Sequence, residues 1–179
     1  IPDTKSLSDS VEAGIKVYQA LKKYLIKNFG PNSIGLGDEG GFAPNFPTEL
    51  APFEILKNII REEEIGEKID FGLDAAASNI DSDPEKLSSL YEELKSKFNI
   101  YYLEDPYKED DFSNFSKLKN SIGENTIIAG DDLTTTNISR MKKAKEQDCI
   151  NGIIIKPNQI GTLSETIEAI KLAKEWGWK

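Results

Sequence analysis

Histidine is absent from the 179-residue chain, and cysteine and methionine occur once each. Without an imidazole, neither a Ser-His-Asp nor a Cys-His nucleophile system can be assembled from this chain, nor a histidine metal site. What remains is carboxylates, lysine and a hard, oxygen-seeking metal. The lone Cys149 cannot form an internal disulfide, which points to a reducing, cytoplasmic compartment. No stretch of about 18 apolar residues is available for a membrane span. The opening Ile1-Pro2-Asp3-Thr4-Lys5 lacks the basic and apolar regions of a secretory signal. Basic residues are also in deficit, 22 against 31 acidic, for a net charge of −9. That balance disfavours nucleic acid and anionic lipid as partners, and an anionic substrate would need local cations to offset the field.

With 38% hydrophobic and 30% charged residues, the chain has the composition of a soluble globular domain with a sizeable core. Residues 8–29 predict an amphipathic scaffolding helix, with Val11, Ile15, Tyr18, Leu21 and Leu25 recurring at spacings of three and four and Ser6 or Ser8 as its cap. A glycine-rich loop follows over residues 35–45, and a second helix is expected from Pro47 to about Glu64. Strands and helices then alternate. The strands lie at Ile69 to Leu73, Ile100 to Leu103, Ile127 to Gly130 and Ile153 to Ile155. The helices lie at Pro84 to Phe98, Phe112 to Asn120, Ser139 to Glu146 and Ser164 to Glu175. Short apolar strands separated by helices imply a parallel sheet buried on both faces.

Each of these strands is followed at once by an ionisable residue: Asp74, Glu104, Asp131 and Lys156, spaced 30, 27 and 25 residues apart. That spacing fits a repeating strand-helix unit, and an α/β barrel builds its active site from the C-terminal ends of successive strands. Neighbouring parallel strands lie about 4.8 Å apart, so Asp74, Glu104 and Asp131 converge within reach of one ion. Their mutual repulsion makes sense if a divalent cation neutralises them, with Mg²⁺ favoured and Mn²⁺ also suitable. Taken singly, each acid could instead cap the following helix. Asp105 and Asp132 compete with their neighbours, because strand alternation lets one of each pair point inward. Lys156, beside a dication, would have its pKa lowered toward neutrality and serve as a general base, or else pair with Glu104. Glu39 sits between glycines in a loop that is equally readable as a simple turn.

The stretches Gly37-Asp38-Glu39-Gly40-Gly41-Phe42-Ala43-Pro44-Asn45, Gly72-Leu73-Asp74-Ala75-Ala76-Ala77-Ser78, Leu103-Glu104-Asp105-Pro106, Gly130-Asp131-Asp132-Leu133-Thr134 and Lys156-Pro157-Asn158-Gln159-Ile160-Gly161-Thr162 occur in that order. In that order they resemble the barrel domain of the enolases (phosphopyruvate hydratases). The resemblance covers nearly the whole chain but less than half of a full-length enolase. It implies an α/β fold, an incomplete TIM-type (β/α)8 barrel forming a single domain over residues 1–179, with the N-terminal capping domain and the last barrel units absent. It implies Glu39 as general acid and Lys156 as general base, both touching substrate, and Asp74, Glu104 and Asp131 as magnesium ligands, Asp132 being a neighbour. The complete protein would then use two Mg²⁺ ions to interconvert 2-phosphoglycerate and phosphoenolpyruvate in glycolysis, as a cytoplasmic homodimer.

The chain departs from the family in lacking a Ser-His-Arg segment, a later substrate-binding lysine, and the capping domain's loop serine and glutamate. Ala77-Ser78-Asn79-Ile80 also stands where many enolases carry Ser-Glu-Phe. An acid-sugar dehydratase or cycloisomerase of the same superfamily is the alternative, but its Lys-x-Lys base is missing, since Lys68-Ile69-Asp70 has one lysine. A third reading is a Mg²⁺-binding fragment, and the isolated 179 residues are expected to turn over little or no substrate.

Overall fold

Serine 6 sets the first boundary of the fold: its Oγ accepts the Asp9 N–H at 3.1 Å and starts helix α1, Leu7–Phe29. The computed structural model describes residues 1–179 apart from Asp38, Glu64, Gly66, Glu67, Glu124 and the side chain of Lys68. It contains two compact units, Ile1–Asp70 and Phe71–Lys179.

In the first unit, β1 (Pro2–Asp3) pairs antiparallel with β2 (Lys68–Ile69). Helix α1 ends at Gly30, whose φ of 85° suits glycine and whose N–H reaches the Ile26 carbonyl. Helix α2 runs Ala51–Glu62, starting later than expected because Pro47 to Leu50 form bends and a turn; the expected end at Glu64 lies outside the described residues. Ala20, Ile55 and Ile59 form a buried cluster, with Leu21, Tyr24 and Phe46 packed against it. The buried positions of α1 are thus Ala13, Ala20 and Leu25, while Val11 and Ile15 are exposed. The apolar periodicity alone pointed to the bulky residues, whereas the small ones provide part of the buried face.

The second unit carries a four-stranded parallel sheet in the order β3 (Gly72–Asp74), β4 (Tyr102–Glu104), β5 (Ile127–Gly130), β6 (Gly152–Ile153). Helix α3 (Pro84–Phe98) joins β3 to β4, α4 (Phe112–Ile122) joins β4 to β5, and α5 (Ile138–Glu146) joins β5 to β6. The short α6 (Pro157–Ile160) and then α7 (Leu163–Glu175) follow. Side chains of Asp83, Asp111, Asn137 and Thr162 accept first-turn N–H groups, so each long helix begins at a residue suited to capping it. Leu103 and Ile128 at the sheet centre are buried, as are Tyr91, Leu94, Phe115 and Met141 from the helices. Burial of a Leu or Ile contributes about 1.5–3 kcal/mol, which holds the strands against the helices. Beyond β6, Lys179 already takes part in the ladder: its N–H reaches the Asn151 carbonyl at 2.9 Å and its carbonyl accepts from Ile153 at 3.0 Å. This is an incomplete TIM-type arrangement, four consecutive parallel strands with connecting helices. Among the described residues no helix is long and apolar enough to cross a membrane.

Candidate metal centre and its lysine

Strand register assembles the site. Asp74 is the Cα partner of Glu104, Glu104 of Ala129, and Ala129 of Gly152. Asp131 lies just past the end of β5 and Lys156 three residues past β6, so the sheet brings Asp74, Glu104, Asp131 and Lys156 to the C-terminal end of its strands. The electrostatics agree: the Glu104 carboxyl is raised above its ordinary pKa, first by burial, with Asp74 and Asp131 adding to the rise and Tyr102 and Lys156 opposing it.

Asp131 is buried, 7% exposed. Its Oδ2 accepts from the Lys156 ammonium, and its Oδ1 is buried with no hydrogen-bond partner. The turn after it is held tightly, with the Thr134 and Thr135 N–H groups on the Asp131 carbonyl at 3.1 and 2.7 Å. Thr135 and Thr136 have φ of 48° and 58°, a left-handed conformation that β-branched residues resist. Thr136 Oγ1 accepts the Lys156 N–H at 2.8 Å, tying this strained turn to the end of β6.

Lys156 is raised above the usual amine pKa, chiefly by its hydrogen bond to Asp131, with burial opposing and Asp131, Glu104 and Asp132 reinforcing. This is the reverse of the lowering expected from the sequence, because the charges facing the amine here are carboxylates. Its ion-pair partner is also Asp131 rather than Glu104.

Glu104 is half-buried, and its Oε2 accepts the Tyr102 hydroxyl at 2.5 Å. Burial, followed by that hydrogen bond and the nearby carboxylates, holds the Tyr102 phenol well above its ordinary pKa, so it remains a donor. Asp74 is exposed, and its Oδ1 accepts the Ala76 N–H at 3.0 Å. It therefore also makes the local turn contact weighed for it singly.

Asp105 acts in a way that strand alternation could not reveal. Its φ of 38° ends the strand, and the side chain turns into the protein, 4% exposed. There its two oxygens accept the N–H groups of Asp131 at 3.0 Å and Asp132 at 2.8 Å. Asp105, Asp131 and Asp132 each offer a carboxylate oxygen within 4.8 Å of the others, a group able to hold a metal ion. Burial pushes the Asp105 carboxyl up to about 6, with the two N–H donors pulling it down. Arg140 braces the same region: Nε donates to the Leu133 carbonyl at 2.7 Å, and the guanidinium reaches Asp110 and the Glu109 carbonyl. It lines an open cleft of about 540 Å³ together with Ser78, Asn79, Asp132 and Thr135. Tyr102 was detectable in the sequence as the residue two before Glu104, whereas Asp105 and Arg140 act across loops that no local pattern connects.

Glu39 belongs to the first unit, exposed in a turn closed by the Gly40 N–H on the Gly37 carbonyl at 2.9 Å. The loop is pinned to α1 by the Tyr18 hydroxyl on the Gly40 carbonyl and by stacking of Tyr18 on Phe42 at 4.6 Å. Its neighbour Asp38 lies outside the described residues.

An all-oxygen donor set, with one buried carboxylate oxygen lacking a partner, fits a hard divalent cation. The family model described as "Enolase, C-terminal TIM barrel domain" matches residues 2–86 and 81–179. The chain belongs to the enolase family. It is 38% identical over 193 residues to Enolase B of Dictyostelium discoideum, covering 95% of this chain and 44% of that protein. The enolases of Aeropyrum pernix and Methanopyrus kandleri are each 36% identical and match 97% of this chain, which spans 43% and 44% of their lengths. The chain thus spans less than half the length of these curated enolase relatives.

Proposed function

We propose that the complete protein is a magnesium-dependent lyase that reversibly dehydrates 2-phosphoglycerate to phosphoenolpyruvate in glycolysis. The observation that carries this reading is the buried Asp131, with one oxygen on Lys156 and the other without a partner, beside Glu104 and Asp74. Both units are taken as parts of one barrel domain of the complete protein, which works as a cytoplasmic homodimer.

Asp74, Glu104 and Asp131 would hold one Mg²⁺; a second is expected to depend on residues outside this chain. Bound there, Mg²⁺ supplies Lewis-acid stabilisation of the negative charge that builds on the substrate carboxylate. Lys156, released from the Asp131 pair and having lost its ammonium proton to solvent, removes as a neutral amine the very weakly acidic proton next to that carboxylate. Asp131 thereby sets both the position and the protonation of the base. Glu39 protonates the departing hydroxyl, which leaves as water because hydroxide is a poor leaving group.

An acid-sugar dehydratase or cycloisomerase is the runner-up, weakened by the missing Lys-x-Lys at Lys68-Ile69-Asp70. The test is a turnover assay of the complete protein with 2-phosphoglycerate and, separately, with aldonic acids, each with Mg²⁺ or a chelator. Mg²⁺-dependent formation of phosphoenolpyruvate is expected. Conversion of an aldonic acid alone would overturn the assignment, and the 179 residues by themselves are expected to be inactive.

A further inference from the structure

The Tyr102–Glu104 contact belongs to the site, yet the proposed reaction assigns Tyr102 no role. Strand β4 places the two residues at positions i and i+2, on one face of the sheet. On β3 the residue opposite Tyr102 is Gly72, which has no side chain to compete with the ring for space. The hydroxyl donates to Oε2 of Glu104 at 2.5 Å. Among the described residues no other side chain hydrogen-bonds to Glu104, so Oε1 is left open while Oε2 is engaged.

We infer that Tyr102 is a positioning residue that makes Glu104 a single-oxygen metal ligand and so biases the site toward Mg²⁺ over Ca²⁺. This rests on the metal-binding reading proposed above. Mg²⁺ is small, requires nearly ideal octahedral geometry and takes carboxylates through one oxygen. Ca²⁺ accepts six to eight oxygens and is favoured by carboxylates that clasp it with both. A donor fixed on one oxygen disfavours the two-oxygen clasp and orients the remaining oxygen, as outer-shell partners of metal ligands generally do.

The decisive experiment is calorimetric titration of the complete protein and its Tyr102→Phe variant with MgCl₂ and, separately, CaCl₂. The substitution removes the hydroxyl and keeps the half-buried ring, so the fold is retained. Mg²⁺ affinity is expected to fall about 10-fold, the low end of the effect of losing an outer-shell partner. Ca²⁺ affinity is expected to stay level or rise, narrowing the preference by at least the same factor. Unchanged Mg²⁺ binding, or parallel weakening of both ions, would overturn the inference while leaving the metal site standing. A wild-type protein that binds no Mg²⁺ would overturn the metal-binding reading itself, and this inference with it.

Discussion

Lys156 donates its ammonium to Oδ2 of Asp131 across the ends of β5 and β6, while Oδ1 of the same carboxylate is buried without a partner. A buried acceptor left unsatisfied costs about 1–3 kcal/mol, more for a charged group. A cation on that oxygen would offset the penalty, so binding should stabilise the fold. At Mg²⁺ 100-fold above its Kd, the complete protein is expected to gain about 2.7 kcal/mol. Asp131→Asn should abolish that gain in thermal unfolding, whereas an equal Mg²⁺-induced shift in wild type and variant would contradict the role of Asp131.

Asp105 holds the Asp131 and Asp132 N–H groups on separate oxygens. In Asp105→Asn one of these acceptors becomes an NH₂ donor facing another N–H, leaving a buried donor unsatisfied at a cost of about 1–3 kcal/mol. Tm is expected to fall by several degrees. A variant as stable as wild type would show that the loop does not depend on this carboxylate.

Cys149 is fully buried, and its thiol donates to the Phe112 carbonyl at 3.1 Å. Burial pushes it from 9.0 up to about 11. The unfolded chain therefore releases this proton first on raising the pH, so the stability contributed by the neutral thiol is complete below about pH 9 and lost as pH rises through about 11. Urea unfolding of wild type and Cys149→Ala between pH 8 and 11 should show wild type losing the additional stability, on the order of 2 kcal/mol. At neutral pH the folded protein should resist alkylation that readily labels it in denaturant. Equal labelling in both states would contradict its burial.

The alternation of strands and helices in the second unit was legible in the sequence because each strand is a short apolar run and each long helix opens at a capping residue. The positions of Asp74 and Glu104 at the ends of β3 and β4 and of Asp131 directly after β5 followed from the same repeat, whereas β6 ends at Ile153, three residues before Lys156. The buried positions of α1 were less legible, since Ala13 and Ala20 carry too little apolar weight to stand out against exposed Val11 and Ile15. Asp105 escaped because its φ of 38° suspends strand alternation at the residue where that rule was applied. The direction of the Lys156 shift differed because the expectation considered a dication and the folded chain supplies carboxylates.

The role proposed for Lys156 is that of the base in a magnesium-dependent dehydration. It is tested most directly by phosphoenolpyruvate formation from 2-phosphoglycerate in the complete protein, wild type against Lys156→Ala, with folding and Mg²⁺ binding measured alongside. Mg²⁺-dependent turnover is expected in wild type and a loss of at least about 10²–10⁴-fold in the variant; truncating the 39% exposed Lys156 side chain leaves no core cavity but deprives the buried Asp131 of its partner, so the two proteins are compared with Mg²⁺ present to neutralise that carboxylate. Turnover retained in a folded Lys156→Ala protein would contradict that role.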